Sequence, residues 1–129
     1  MAEKRAFKRA HRVGEEVHKA ISLMLIDGEL RDPRLALCTI TTVEMSDDLR
    51  HGKVFFSLIG DENAKQEAER SFKRAAGFIR KEVSRRLQLR FAPELRFFFD
   101  QSMERASRLS ELLKHVDEVT TPETDDDDD

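Results

Sequence analysis

Ten basic side chains fall into two groups whose type and spacing could do chemistry. Arg5, Lys8, Arg9 and Arg12 lie near the start of the chain; Lys73, Arg74, Arg80, Lys81, Arg85 and Arg86 lie further along. Groups of this kind neutralise phosphates and release counterions, and arginine also forks onto phosphate oxygens. The chemistry open to them is recognition of a polyanion. The competing reading of each is a solvated helix face. Covalent chemistry has no comparable support. There is no Gly-x-Ser-x-Gly, phosphate-loop or His-Glu-x-x-His pattern. His11 and His18 are seven apart, with no carboxylate at metal-helix spacing, and read as surface histidines. Cys38, the only cysteine, excludes an internal disulfide and a multi-cysteine zinc site, and reads as a small core residue. Asp47-Asp48 and Asp61-Glu62 read as turn and helix-start acids, not as a catalytic pair. Five successive aspartates, Asp125 to Asp129, lack the shaped cage that a divalent cation needs. No catalytic residue, metal or cofactor is expected.

The elements that must position these groups follow from periodicity. Ala6, Ala10, Val13, Val17, Ala20, Ile21 and Met24 make an apolar stripe, which predicts a long first helix with Arg5, Lys8, Arg9 and Arg12 on its solvated side. Gly28 is its stop, and Asp32-Pro33-Arg34 marks a connection. Residues 37–45 and 53–59 are strand-like and flank a polar turn, which predicts an antiparallel hairpin. Residues 62–90 have helical period, with Phe72, Ala76, Ile79, Val83 and Leu87 as the stripe and Arg74, Lys81 and Arg85 opposite. Gly77 sits mid-helix, and Phe78 falls on the charged side. A kink or broken turn at Ala75, Ala76 and Gly77 would re-aim Phe78. After Pro93, residues 95–100 predict a strand with Leu95, Phe97 and Phe99 on one face. Residues 102–116 predict a short helix capped by Ser102, with Met103, Ala106, Leu109, Leu112, Leu113 and Val116 as its apolar side. A strand–helix–strand crossover favours parallel pairing. The expected fold is therefore α+β, a three-stranded mixed sheet with helices on one face. Phe55 and Phe98 are expected on the other face. Gly52 to Phe56 is faintly like a base-stacking strand of an RNA-recognition motif, but a helix-first order does not fit that fold, so ordinary packing is expected.

At 129 residues the chain has room for one domain. Charged residues make up 38%, so the core must be small and the surface ionic. No run reaches the roughly 20 apolar residues of a membrane span, and no secretory signal precedes the first helix, so a cytoplasmic location without a membrane is expected. The net charge of −3 hides an uneven distribution. Of 26 acids, eight lie in residues 117–129, which hold no Lys or Arg. Residues 1–116 therefore carry all 23 basic groups against 18 acids, or +5. We expect residues 1–116 to form the domain and residues 117–129 a disordered acidic tail.

Several blocks resemble the bacterial ribosome-binding factor A family over roughly residues 8–113. They are Asp32-Pro33-Arg34, Ser46-Asp47-Asp48-Leu49, Ala75-Ala76-Gly77-Phe78-Ile79-Arg80 and Pro93-Glu94-Leu95, in the family's order. The resemblance implies a type II KH-like domain of helix, strand, strand, kinked helix and strand. In place of the Gly-x-x-Gly loop of KH domains it implies a kinked helix at Ala-x-Gly, here Ala75, Ala76 and Gly77. It also implies a non-catalytic factor that binds the free 30S subunit and its 16S rRNA. The implied role is late maturation with rRNA 5′-end processing and cold adaptation, as a monomer, with a small-subunit GTPase acting in release. The ten basic residues are then the RNA-contact candidates. The alternatives from other classes are a basic module that binds an acidic protein and a small α+β hydrolase, for which no acid/base pair is found.

Overall fold

The computed structural model describes residues 2–119. The order is α1 (Ala2–Ile26), a 3-10 turn (Pro33–Leu35), β1 (Thr39–Met45), β2 (His51–Ser57), α2 (Glu62–Leu87), β3 (Glu94–Phe99) and α3 (Ser102–Val119). The apolar stripe of α1 is the buried one: Ala10, Val13, Val17, Ala20, Ile21 and Met24 all lie in the core. Gly28 ends it as expected. Its φ of 71° lets Gly28 N–H donate to the Leu25 carbonyl and Glu29 N–H to the Met24 carbonyl, a Schellman-type stop. Further back, Gly14 is required by a close approach. A Cβ there would lie 2.8 Å from the Val43 carbonyl oxygen, so glycine allows α1 to lie directly on β1.

The sheet has strand order β1-β2-β3, with β1–β2 antiparallel and β2–β3 parallel, the mixed three-stranded arrangement expected. Alternation sends Gly52, Val54 and Phe56, with Leu95, Phe97 and Phe99, toward the helices. Phe72 of α2 is the centre of that packing. Its ring stacks on Phe97 at 4.7 Å and 6°, and lies 4.8 Å from Phe56. A bulge between Ile40 and Thr42 frees Thr41, whose hydroxyl donates to the Asp100 carboxylate and the Phe55 carbonyl.

Several expectations need correction. The hydrogen-bonded helix α2 runs unbroken through Ala75, Ala76 and Gly77, so a broken turn there is excluded. Gly77 is not at positive φ, and a Cβ on it would meet nothing within 4 Å. Phe78 is not re-aimed inward; it stays 46% exposed, because a single exposed ring costs little while a helix break forfeits backbone hydrogen bonds. Next, Ser102 does not cap α3. Its N–H donates to Asp100 Oδ1, and the Gln101 carbonyl accepts from Arg105 N–H, so the cap lies one residue earlier. Finally, α3 extends to Val119, beyond the helix expected over residues 102–116; residues 120–129 of the tail lie outside the described residues. Ala106, Leu109, Leu112 and Leu113, expected on an apolar side of α3, are exposed. The helix is joined to α2 by an ion pair between Lys65 and Glu104.

Candidate nucleic-acid interface

The ten basic candidates divide into side chains that face solvent and side chains already used within the fold. Arg5, Lys8, Arg9 and Arg12 are exposed on α1, as the phase of its stripe requires. Arg12 has only a loose partner in Glu16 at 3.9 Å, whereas Arg9 reaches across to donate to the Asp47 carbonyl at 3.3 Å. On α2, Lys73 and Lys81 are exposed and make no ion pair among the described residues. The other four are committed to differing degrees. Arg74 donates to the Ser71 hydroxyl and stands 3.9 Å from Asp32, although its side chain is still largely solvated. Arg80 donates from Nε to the Pro93 carbonyl at 2.9 Å and from Nη2 to the Ala92 carbonyl at 3.0 Å, which clamps the loop before β3. Arg86 pairs with Glu29 and Glu82, tying the end of α2 to the turn after α1. Arg85 shares Glu82 at 2.8 Å but remains mostly in solvent. Hydrogen bonding from Arg85 is the main cause that holds the Glu82 carboxyl below its usual range.

The acids near these groups serve the scaffold. Asp32 receives the Arg34 N–H and faces Arg34 and Arg74. Burial would raise its carboxyl, and those partners with the Ser71 hydroxyl outweigh it, so the net shift is downward. The Ser46 hydroxyl and the Arg50 N–H lower Asp48, a turn acid as expected. Cys38 is buried, and loss of solvation followed by the Asp32 charge pushes its thiol up to about 11, which suits a core residue rather than a nucleophile. His18 Nε2 donates to the Ile40 carbonyl at 2.8 Å, fixing α1 on the sheet, and His11 packs edge-on to Phe7. Among the described residues, no cluster of three His, Cys, Asp or Glu could hold a metal, and no helix is long and apolar enough to cross a membrane.

A groove of about 630 Å³ runs between α2 and the free edge of β3. Arg70, Lys73 and Arg96 line it together with Glu69, Glu94 and Phe98. Of its three cations only Lys73 was among the sequence candidates. Arg70 lies three residues before Lys73 on the same helix side, and alternation in β3 sends Arg96 away from the core, so both left a signal. What brings them together is the tertiary placement of α2 along β3. On the sheet face away from the helices, Phe55 and Phe98 pair with ring centres 5.7 Å apart, the position expected for them. The arrangement offers exposed basic side chains on α1 and on α2, and a groove beside α2 that Arg70, Lys73 and Arg96 line.

Residues 9–113 match the family model described as ribosome-binding factor A. A ribosome-binding factor A from Geobacter metallireducens is 44% identical over 110 residues, covering 85% of this chain and 92% of that protein. The solution structure of a Thermotoga maritima protein described as a putative ribosome binding factor A has a TM-score of 0.58 and 34% identity, over 72% of this chain and 91% of its own. A Thermus thermophilus ribosome binding factor A homology model, fitted into the cryo-EM map of a 30S complex, has a TM-score of 0.59 and 27% identity, over 72% and 96% of the two chains. Sequence and architecture agree, and the chain belongs to the ribosome-binding factor A family.

Proposed function

We propose that this chain is a ribosome assembly factor that docks on the free 30S subunit through 16S rRNA. In this reading it acts late in maturation, supports processing of the rRNA 5′ end and growth in the cold, and leaves before translation with the help of a GTPase on the subunit. It works as a monomer and by binding alone. The observation that carries the reading is the family match over residues 9–113, together with a relative fitted into a map of its 30S complex. The surface supports it: the +5 of residues 1–116 is displayed in part by exposed Arg5, Lys8, Lys73 and Lys81, where phosphates can reach it. Sedimentation of the purified chain with a ribosome fraction through a sucrose gradient tests it. The chain should travel with free small subunits and not with whole ribosomes, and nuclease treatment should release it. Sedimentation at the top of the gradient in the presence of free small subunits would refute the reading. Retention on subunits after nuclease digestion would instead favour an acidic protein partner.

A further inference from the structure

We propose a second RNA contact that shares only Arg9 with the ten candidates: a cleft formed by Arg9, Arg50, Arg90 and Phe91 that holds one unstacked nucleotide of a single-stranded RNA segment. The inference rests on the RNA-binding reading above and names the form of RNA and the place where it binds.

The cleft exists because of the parallel register. His51 lies opposite Glu94, and Glu94 N–H donates to the Arg50 carbonyl at 2.8 Å, so the residues just before the two strands are brought together. The turn before β2 is fixed by Asp48, which accepts from the Ser46 hydroxyl and Arg50 N–H, and by Leu49 at a φ of 62°. The loop before β3 is fixed by Arg80, which holds the Ala92 and Pro93 carbonyls. Between these two braced segments the Arg50 guanidinium lies 4.4 Å from the Phe91 ring centre, and that of Arg90 lies 5.6 Å from it. Arg9 enters from α1, held by its bond to the Asp47 carbonyl.

The resulting concavity is about 310 Å³. That is near the lower end of the roughly 300–1,000 Å³ of small-ligand sites, room for a nucleotide and not for a duplex. Three guanidinia face one lining carboxylate, Asp48, which is already engaged in the turn. Neither Arg50 nor Arg90 has a carboxylate at ion-pair distance among the described residues. Phe91 is 49% exposed although it is a large apolar ring, and the Arg50 guanidinium 4.4 Å from its centre is itself a flat group. Guanidinia bind phosphate oxygens, while a flat ring with an adjacent guanidinium plane stacks a base. Only an unpaired base has a free face to offer, so a single strand fits where a duplex does not.

The test uses the full chain, a labelled oligoadenylate of eight nucleotides and an abasic oligomer of equal charge, read by fluorescence anisotropy at several salt concentrations. Phe91→Leu should weaken oligoadenylate binding about tenfold and leave the abasic oligomer unaffected. Arg50→Gln and Arg90→Gln should weaken both oligomers and each reduce the salt slope by about 0.7. Unchanged melting temperatures confirm that these surface substitutions leave the fold intact. Equal oligoadenylate binding by wild type and Phe91→Leu overturns the site, as does failure of the wild type to bind the oligomer. Loss of subunit binding without loss of oligomer binding also overturns it and assigns the cleft to a protein partner. Wild-type sedimentation with free small subunits reports separately on the broader reading, so either can fail alone.

Discussion

Arg80 and Lys81 are neighbours in sequence with opposite fates, and the difference is testable. Arg80 spends its guanidinium on two loop carbonyls, whereas Lys81 projects into solvent without an ion pair among the described residues. Arg80→Gln should therefore cost about 2 kcal/mol of stability, because hydrogen bonds to charged groups contribute about 1.5–3 kcal/mol and two loop carbonyls lose their donor. Lys81→Gln should leave the urea midpoint in place but weaken small-subunit binding and reduce the salt slope by about one unit. Equal stability losses would show that the two side chains do the same work. Asp100 gives a second residue-scale prediction. The Ser102 side chain, then the Thr41 hydroxyl and the Ser102 N–H, hold its carboxyl below the ordinary value. A lowered folded-state pKa contributes stability that is present above the unfolded value of about 3.9 and is lost as pH falls through the folded value. Between pH 5 and pH 2 the wild type should thus lose more stability than Asp100→Asn, measured by urea denaturation at each pH.

At the scale of elements, the same substitution should have opposite signs in the two long helices. In α2, Gly77 has no positive φ and a Cβ there meets open space, so Gly77→Ala should stabilise by about 1 kcal/mol, seen as a rise of roughly 4 °C in melting temperature. In α1, a Cβ at residue 14 would press on the Val43 carbonyl, so Gly14→Ala must lift the helix from β1 and should cost about 1–3 kcal/mol. A destabilising Gly77→Ala would show instead that the geometry at Ala75, Ala76 and Gly77 requires glycine. The sequence located both helices, since an apolar stripe and its caps are local properties. It did not show that α2 is continuous. Phe78 out of phase suggested a kink or broken turn, whereas the structure leaves it an exposed ring on a helix with no broken turn. The exposed leucines of α3 were illegible for the same reason: periodicity finds an apolar side but not whether anything covers it.

For the whole molecule, the governing feature is the charge split between a +5 body and an acidic C-terminal end. An acid run tethered to a basic body competes with RNA for the same cations, and at physiological salt the Debye length of about 8 Å screens much of that attraction. Deleting residues 125–129 should therefore raise affinity for arbitrary RNA most at low salt, and affinity for the small subunit less, because shape also contributes there. Equal gains in filter-binding measurements on both targets would reduce the tail to a uniform charge penalty. The amino-acid sequence by itself determined the element order, the mixed sheet, the core faces of α1 and β3, the charge split and the family, because each is written in local periodicity, in contiguous blocks or in the strand–helix–strand order that favours parallel pairing. Tertiary structure decided which cations are free. Arg86 meets Glu29 from 57 residues away, Arg80 meets a loop 12 and 13 residues on, and Arg50 reaches Phe91 only through the parallel register of β2 and β3. Such partners are set by how the helices and strands pack, a long-range property that no spacing along the chain encodes.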